Sequence, residues 1–179
     1  MPDPAAKSTR SFCKNHNLPP MPAITLHTFI QAPAGICFDL ARSIDLHQDS
    51  VAHTREKAIA GRRTGLAGAG DTVTWEAVHF GVRQRFTGKI TEVTYPVHFR
   101  DVMLKGIFKK LEHDHHFREE KGGTLMTDIF IFKAPLGIFG KLAERLFLTA
   151  YLRNFLIRRN AFIRQVAESG DYRKHLPVS

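Results

Sequence analysis

No proline or glycine interrupts the chain from Lys141 to Glu168, and Gly170 follows as a natural stop. Pro135 suits a first helical turn, where a missing N–H removes nothing the helix needs. Read as one helix from Pro135 to about Glu168, the stretch reaches roughly 40–50 Å at about 1.5 Å per residue. Everything ahead of it reads as short strands. The compact solution for a strand series followed by one long helix is a sheet curled around that helix.

The strands can be placed in order. Ala23–Gln31 alternates in a β-rich pattern and predicts the first. Pro33–Ala41, and a stretch capped by Ser43 and running to about Gln48, predict two short helices. His53–Ala60 predicts a second strand. Gly61–Gly70 has the order G-x-x-G-x-G, without the dinucleotide fingerprint or a P-loop lysine. It reads as a flexible turn, with a phosphate cradle as the lesser alternative.

Phe80-Gly81 joins Asp71–His79 to Val82–Val93 as a two-residue turn. That register sets Trp75 opposite Phe86, Ala77 opposite Gln84 and His79 opposite Val82 on one face, with Glu76 opposite Arg85 on the other. After the Tyr95-Pro96 break, Val97–Leu104 carries Phe99, Asp101 and Met103 on one face. A four-residue turn, Glu120–Gly123, between Phe108–Glu119 and Thr124–Lys133 sets Phe117 opposite Met126, His115 opposite Asp128, His113 opposite Phe130 and Leu111 opposite Phe132. The expected fold is therefore α+β: a seven-stranded curved antiparallel sheet, two short helices after strand 1, and a long C-terminal helix over the concave face. Residues 1–22 read as a flexible leader, 23–168 as the domain and 169–179 as a tail.

Fourteen phenylalanines against one tryptophan and three tyrosines describe an apolar aromatic interior rather than a wet stacking platform. The net charge of +9 admits an anionic membrane surface, nucleic acid, or simply a solvated basic surface. Nucleic acid is disfavoured. The basic stripe Arg83, Arg85 and Lys89 is partly neutralised by Glu76, and exposed aromatics are not interleaved with it. Two cysteines, Cys13 and Cys37, in a leader and an apolar helix pattern, suggest free thiols and a cytoplasmic setting. There is no long uncharged apolar run, and Met1–Pro20 lacks a signal-peptide core. A monomer and a homodimer are both compatible with these features.

The element order is carried by APAGICFDLARSIDLH (Ala32–His47), DTVTWEAVHFGVRQRFTGKI (Asp71–Ile90), FRDVMLKGIFKKLEHDHHF (Phe99–Phe117), GGTLMTDIFIFKAPLG (Gly122–Gly137) and the final helix. Together these resemble the START-like, or SRPBCC, superfamily with its helix-grip fold. That superfamily includes lipid-transfer domains, polyketide cyclases/dehydrases and bacterial CoxG-type relatives. The resemblance covers about Ala23–Glu168. It implies a hydrophobic cavity between sheet and helix, suited to an apolar or aromatic ligand of lipid-like or polyketide-like kind.

By the registers above, Trp75, His79, Gln84, Phe86, Phe99, Met103, His113, His115, Phe117, Met126, Asp128 and Phe130 face the helix, with Leu142 and Leu146 facing back. These are the expected ligand-binding positions. His113 and His115 share a strand face, while His116 points away. With Asp128 opposite, the pair suits either a metal or a hydrogen bond in which Asp128 accepts from His115 and fixes its tautomer. Without a supporting cysteine or HExxH element the hydrogen bond is the expectation, and neither metal nor cofactor is called for. If the resemblance extends to catalysis of the cyclase or dehydratase type, His115 and Asp128, with His79 or His113, are the candidates. Asp101 is a second inward carboxylate.

On the long helix, Leu142, Leu146, Ala150, Ile157 and Ala161 predict a core-facing stripe. Leu148, Leu152, Phe155, Leu156 and Phe162 spill onto a second side, accompanied by Lys141, Arg145, Arg153, Arg158, Arg159 and Arg164. That side reads as packing on the sheet rim or a dimer contact. The alternative is a basic amphipathic face for anionic lipid, making the protein a membrane-peripheral adaptor.

Overall fold

The structure, a computed structural model, describes residues 22–135, 137, 139, 142 and 147–176. Residues 1–21 of the expected leader, with Cys13, and Lys141, Arg145 and Leu146 lie outside the described residues. Strand β1 is Ala23–Ile30, followed by helices α1 (Ala34–Ala41) and α2 (Ile44–Ser50). Strands β2 (Lys57–Gly61), β3 (Thr72–His79), β4 (Val82–Thr94), β5 (His98–Lys105), β6 (Lys110–Glu120) and β7 (Gly123–Lys133) come next, then helix α3 (Thr149–Ser169). The sheet order is β1-β7-β6-β5-β4-β3-β2, and every neighbouring pair is antiparallel.

Both hairpin registers agree with the sequence pattern. Trp75 pairs with Phe86 and His79 with Val82; His115 pairs with Asp128 and His113 with Phe130. The β6–β7 turn is tighter than expected, because Glu120 already pairs with Gly123. Only Lys121 (φ 51°) and Gly122 (φ 77°) make the turn, with the two positive φ angles that such a short hairpin requires. Register is unchanged, since adding the one pair Glu120–Gly123 moves no other partner.

Strand β2 differs more. His53 lies in a 3-10 turn (Ala52–Thr54), not in a strand. Thr54 Oγ1 donates to Val51 O at 2.8 Å and Arg55 takes φ 54°, so extended backbone starts only at Lys57. Ser43 caps α2 as expected, its Oγ accepting from Leu46 N at 3.3 Å. The glycine-rich loop is pinned rather than flexible. Gly65 N donates to Asp45 at 2.7 Å and Gly68 N to Asp71 at 2.8 Å, while Leu66 bridges to Ser43. Two of the amides a phosphate would need already have carboxylate acceptors.

The β4–β5 ladder has register shifts at Thr87/Gly88 and Ile90/Glu92, the kind of irregularity that bends and twists a strand. Helix α3 spans about 30 Å at about 1.5 Å per residue. Residues 137, 139 and 142 are also helical, and Phe147–Leu148 form a wider helical turn that leads directly into α3.

The buried side of α3 is not the predicted one. Ala150, Ile157 and Ala161 are exposed, as is Leu142. Leu156, Arg159, Asn160, Ile163, Val166 and Ala167 are buried, and Leu148, Leu152, Phe155 and Phe162 pack against the core beside them. The two apolar stripes of the helix are thus exchanged. Arg159, expected as a surface cation, is inside the protein.

The core has two main parts. One joins Phe38, Phe99, Phe117, Met126 and Ile163 under α1; the other joins Ile24, Leu26, Leu111, Phe130, Phe132 and Leu156. Phe38 meets Tyr95, Phe99 and Phe117 edge-on at 5.2–5.4 Å. The chain after α3 is also packed: Tyr172 and Leu176 touch the first cluster, and Ser43 Oγ donates to His175 O at 2.8 Å. Cys37 is fully buried in α1, and burial pushes its thiol up to about 11. In native protein at pH 8, iodoacetamide will leave Cys37 unmodified, whereas after denaturation it will react; peptide mass spectrometry reads the difference.

Candidate ligand cavity and its polar end

Between the sheet and the first half of α3 lies a cavity of about 230 Å³. Trp75, Phe86, Phe99, Leu111, Phe130, Leu152 and Phe155 are among the apolar residues that line it. The arrangement follows from the strand period: alternate residues of β3 to β7 face the helix, and in this chain Trp75, Phe86, Phe99 and Phe130 are among them. His79, Gln84, His113 and His115 also line it, as the registers require. Met103, Phe117, Met126 and Asp128 do not. Phe117 and Met126 are consumed in the packing under α1, Met103 packs partly buried in the second core cluster, and Asp128 is wholly covered by neighbouring side chains. Leu142, expected to roof the cavity, is 54% exposed and off its wall.

The polar groups gather in separate places. His79 Nδ1 shares a 2.7 Å hydrogen bond with Tyr151 Oη, tying β3 to α3. Burial holds the His79 imidazole below its ordinary value. His47 Nε2 donates to Glu56 Oε1 at 3.0 Å, and the His47 ring packs 4.4 Å from Trp75. The densest group sits between the two core clusters. There the ladders bring Asp101 of β5 opposite His113, and His115 of β6 opposite Asp128 of β7.

The hydrogen bonds run diagonally across these pairs. His113 Nε2 donates to Asp128 Oδ1 at 2.9 Å, and His115 Nε2 to Asp101 Oδ2 at 3.2 Å. The expected His115–Asp128 bond is only half realised. His115 Nδ1 lies 2.8 Å from Asp128 Oδ1 but makes no aligned hydrogen bond there, so the approach is an ion contact rather than a directed bond. His115 stacks on Phe99 at 4.1 Å, and His113 meets Phe130 edge-on at 5.0 Å.

Helix α3 supplies two residues that the sequence pattern alone leaves on the surface. Asn160 Nδ2 donates to Asp128 Oδ2 at 2.6 Å and to Thr28 Oγ1 at 3.2 Å. Arg159 donates to Ala41 O at 2.8 Å, at the end of α1, and its guanidinium stands 3.9 Å from Asp128. The signal that would have found them is the stripe Leu152, Leu156, Ile163 and Val166, which passes through positions 159 and 160 at helical spacing.

Charge is balanced within the group. Burial alone would raise the Asp128 carboxyl, but the hydrogen bond from His113 and the close contact of His115 hold it well below the usual range. Asp101 is likewise lowered: burial opposes ionisation and the His115 bond outweighs it. His115 is raised. Burial pushes its imidazolium down, and the contacts with Asp101 and Asp128 more than reverse that. His113 is lowered, by burial and by repulsion from His115, which its bond to Asp128 does not offset. Within the group the neighbours thus favour the ionised form of both carboxylates and the protonated form of His115, while His113 is held toward its neutral form, with the Arg159 guanidinium beside them. Asp101 keeps 24% of its side-chain surface and lies on the cavity wall, so it is the carboxylate that a ligand meets.

Elsewhere, Arg83 and Arg85 pair with Glu76 on the outer face at 3.6 and 3.0 Å. No helix among the described residues is long and apolar enough to cross a membrane.

No protein-family model matches the sequence, and no curated protein matches it significantly. Solved structures do match in shape. A protein from Thermus thermophilus is 17% identical, with a TM-score of 0.69 over 83% of this chain and 99% of that one. Major latex-like protein 151 from Panax ginseng is 15% identical, with a TM-score of 0.61 over 88% of this chain and 99% of its own. A START superfamily protein from Mycobacterium smegmatis is 11% identical, with a TM-score of 0.62 over 80% of this chain and 98% of that one. At such identities the likeness concerns architecture alone. Sheet order, the two helices after β1 and the helix laid across the concave face all agree with it: the chain has the START-like helix-grip fold.

Proposed function

We propose that the protein binds an apolar or aromatic small molecule, lipid-like or polyketide-like, in the cavity between the sheet and α3, and that it does so in the cytoplasm. One observation carries the reading. The interior is not closed by packing: a cavity of about 230 Å³ remains, walled by aromatic side chains with polar groups confined to a few spots. An empty space of that kind costs stability unless something fills it, and ligand sites share its make-up of apolar wall and sparse oriented polar groups. The cytoplasmic part of the reading is supported by the buried, unpaired thiol of Cys37.

Trp75 is the only tryptophan and stands on the cavity wall, so the site has its own reporter. Titration with 1-naphthol or a short-chain fatty alcohol will change Trp75 emission saturably, and native mass spectrometry will show one ligand per chain. Phe130→Trp, which fills the wall from β7, will weaken binding at least tenfold while the thermal midpoint stays within a few degrees. Emission that never saturates, or equal binding by the filled variant, would dismiss the cavity as a ligand site.

A further inference from the structure

We propose that Asp101, His113 and His115 form a binding site for a divalent transition metal at the polar end of the cavity. One ligand atom from each comes within 4.8 Å of the others. On sequence alone the partner of His113 and His115 in such a site is Asp128. The structure assigns Asp128 a different part.

Asp128 lies behind both imidazoles. It takes the Nε2 proton of His113 at 2.9 Å and approaches His115 Nδ1 at 2.8 Å through the same oxygen. Asn160 holds its other oxygen at 2.6 Å. Metal-ligating histidines characteristically give their far ring nitrogen to a carboxylate that fixes tautomer and ring orientation. Here one carboxylate serves two rings, and it is itself held from α3. That leaves His113 Nδ1, which makes no hydrogen bond among the described residues, and His115 Nε2 as the two remaining nitrogens. Asp101 Oδ2 stands 3.2 Å from His115 Nε2. Donors at that separation subtend about 100° at an ion about 2.1 Å from each, a fitting angle for adjacent ligands.

Two imidazoles and one carboxylate suit Zn²⁺, Co²⁺, Fe²⁺ or Ni²⁺ and do not suit Ca²⁺ or Mg²⁺, which prefer all-oxygen sets. Three protein ligands leave coordination positions open, the pattern of sites that bind a further molecule. All three residues are on the cavity wall. With Asp101 and Asp128 anionic and Arg159 cationic, a dication leaves one positive charge. The open positions therefore favour an anionic oxygen donor such as hydroxide or phenolate. A second set, His98, Asp114 and His116, also clusters on the opposite sheet face. Its Asp114 is shared with His98 at 3.0 Å and faces Arg100 at 3.8 Å, a guanidinium that opposes a cation.

The test uses tag-free, chelator-treated full-length protein titrated with CoCl₂ near pH 7.5. One equivalent of Co²⁺ is expected to bind with visible ligand-field absorption, and Zn²⁺ to displace it. Asp101→Ala and His113→Ala are expected to lose the absorption, while His116→Ala keeps it. Because those variants touch a buried network, the wild type gives a second readout: Co²⁺ should shift the ring protons of His113 and His115 paramagnetically. Absence of Co²⁺ uptake at large excess overturns the proposal. So does absorption that survives in the Asp101 and His113 variants or disappears with His116→Ala. The cavity reading is tested separately, because 1-naphthol binding by chelator-treated protein upholds it even where no metal binds.

Discussion

Asp128→Asn will cost the fold about 3–5 kcal/mol, the usual consequence of removing one partner from a buried charged group. For a chain of this length each kcal/mol moves the thermal midpoint by about 2–4 °C, so a drop of roughly 10 °C is expected. The reason is the number of groups that depend on one carboxylate. His113 and Asn160 donate hydrogen bonds to Asp128, His115 Nδ1 stands 2.8 Å from it and Arg159 3.9 Å away. An amide cannot accept from all of them and brings no charge. The effect also depends on pH with a definite sign. The Asp128 carboxyl is depressed in the folded protein, so its stabilisation is complete above the unfolded value of about 3.9 and is lost as pH falls through the folded value. The gap between wild type and variant will be wide at pH 7 and will narrow below about pH 4. Asp114→Asn, on the outer face, will change the midpoint far less. Equal melting of the two variants would remove Asp128 from the centre of the fold.

Arg159→Ala will destabilise the protein by about 3 kcal/mol, and Arg158→Ala by less than about 0.5 kcal/mol. Adjacent in sequence and identical in type, the two arginines differ only in where the helix points them. Arg158 is exposed, whereas Arg159 is buried, donates to Ala41 O and faces the carboxylate of Asp128. Truncating Arg159 orphans a buried carbonyl at the end of α1 and leaves the buried group with excess negative charge. Urea unfolding of both variants reads the difference directly. Similar midpoints for the two would mean that α3 is rotated from the orientation described. The same comparison bears on any contact with anionic lipid, for which the exposed cations of α3 are Arg153, Arg158 and Arg164 and not Arg159.

Strands were more legible than helices here, and the cause is geometric. A strand has two faces, so a turn such as Phe80-Gly81 settles every pair along the hairpin at once. Trp75 opposite Phe86 and His115 opposite Asp128 were readable on that basis. A helix can rotate continuously about its axis. Arg159 and Asn160 argue against burying the stripe that carries them, although Leu152, Leu156, Ile163 and Val166 lie on it. The structure buries that stripe because those two polar residues have buried partners on β7, β1 and α1.

By itself the sequence determined the succession of elements along the chain, both hairpin registers and the presence of His113, His115 and Asp101 on the sheet face that meets the helix, because of the two-residue period and the turn residues. Only the tertiary structure decided how α3 is rotated, which carboxylate each histidine takes and which aromatic residues border empty space. Those outcomes depend on distances between elements far apart in the chain. Asp128 meets Asn160 across the core, and Phe117 and Met126 are taken up under α1 while Phe86 and Phe130 line the cavity.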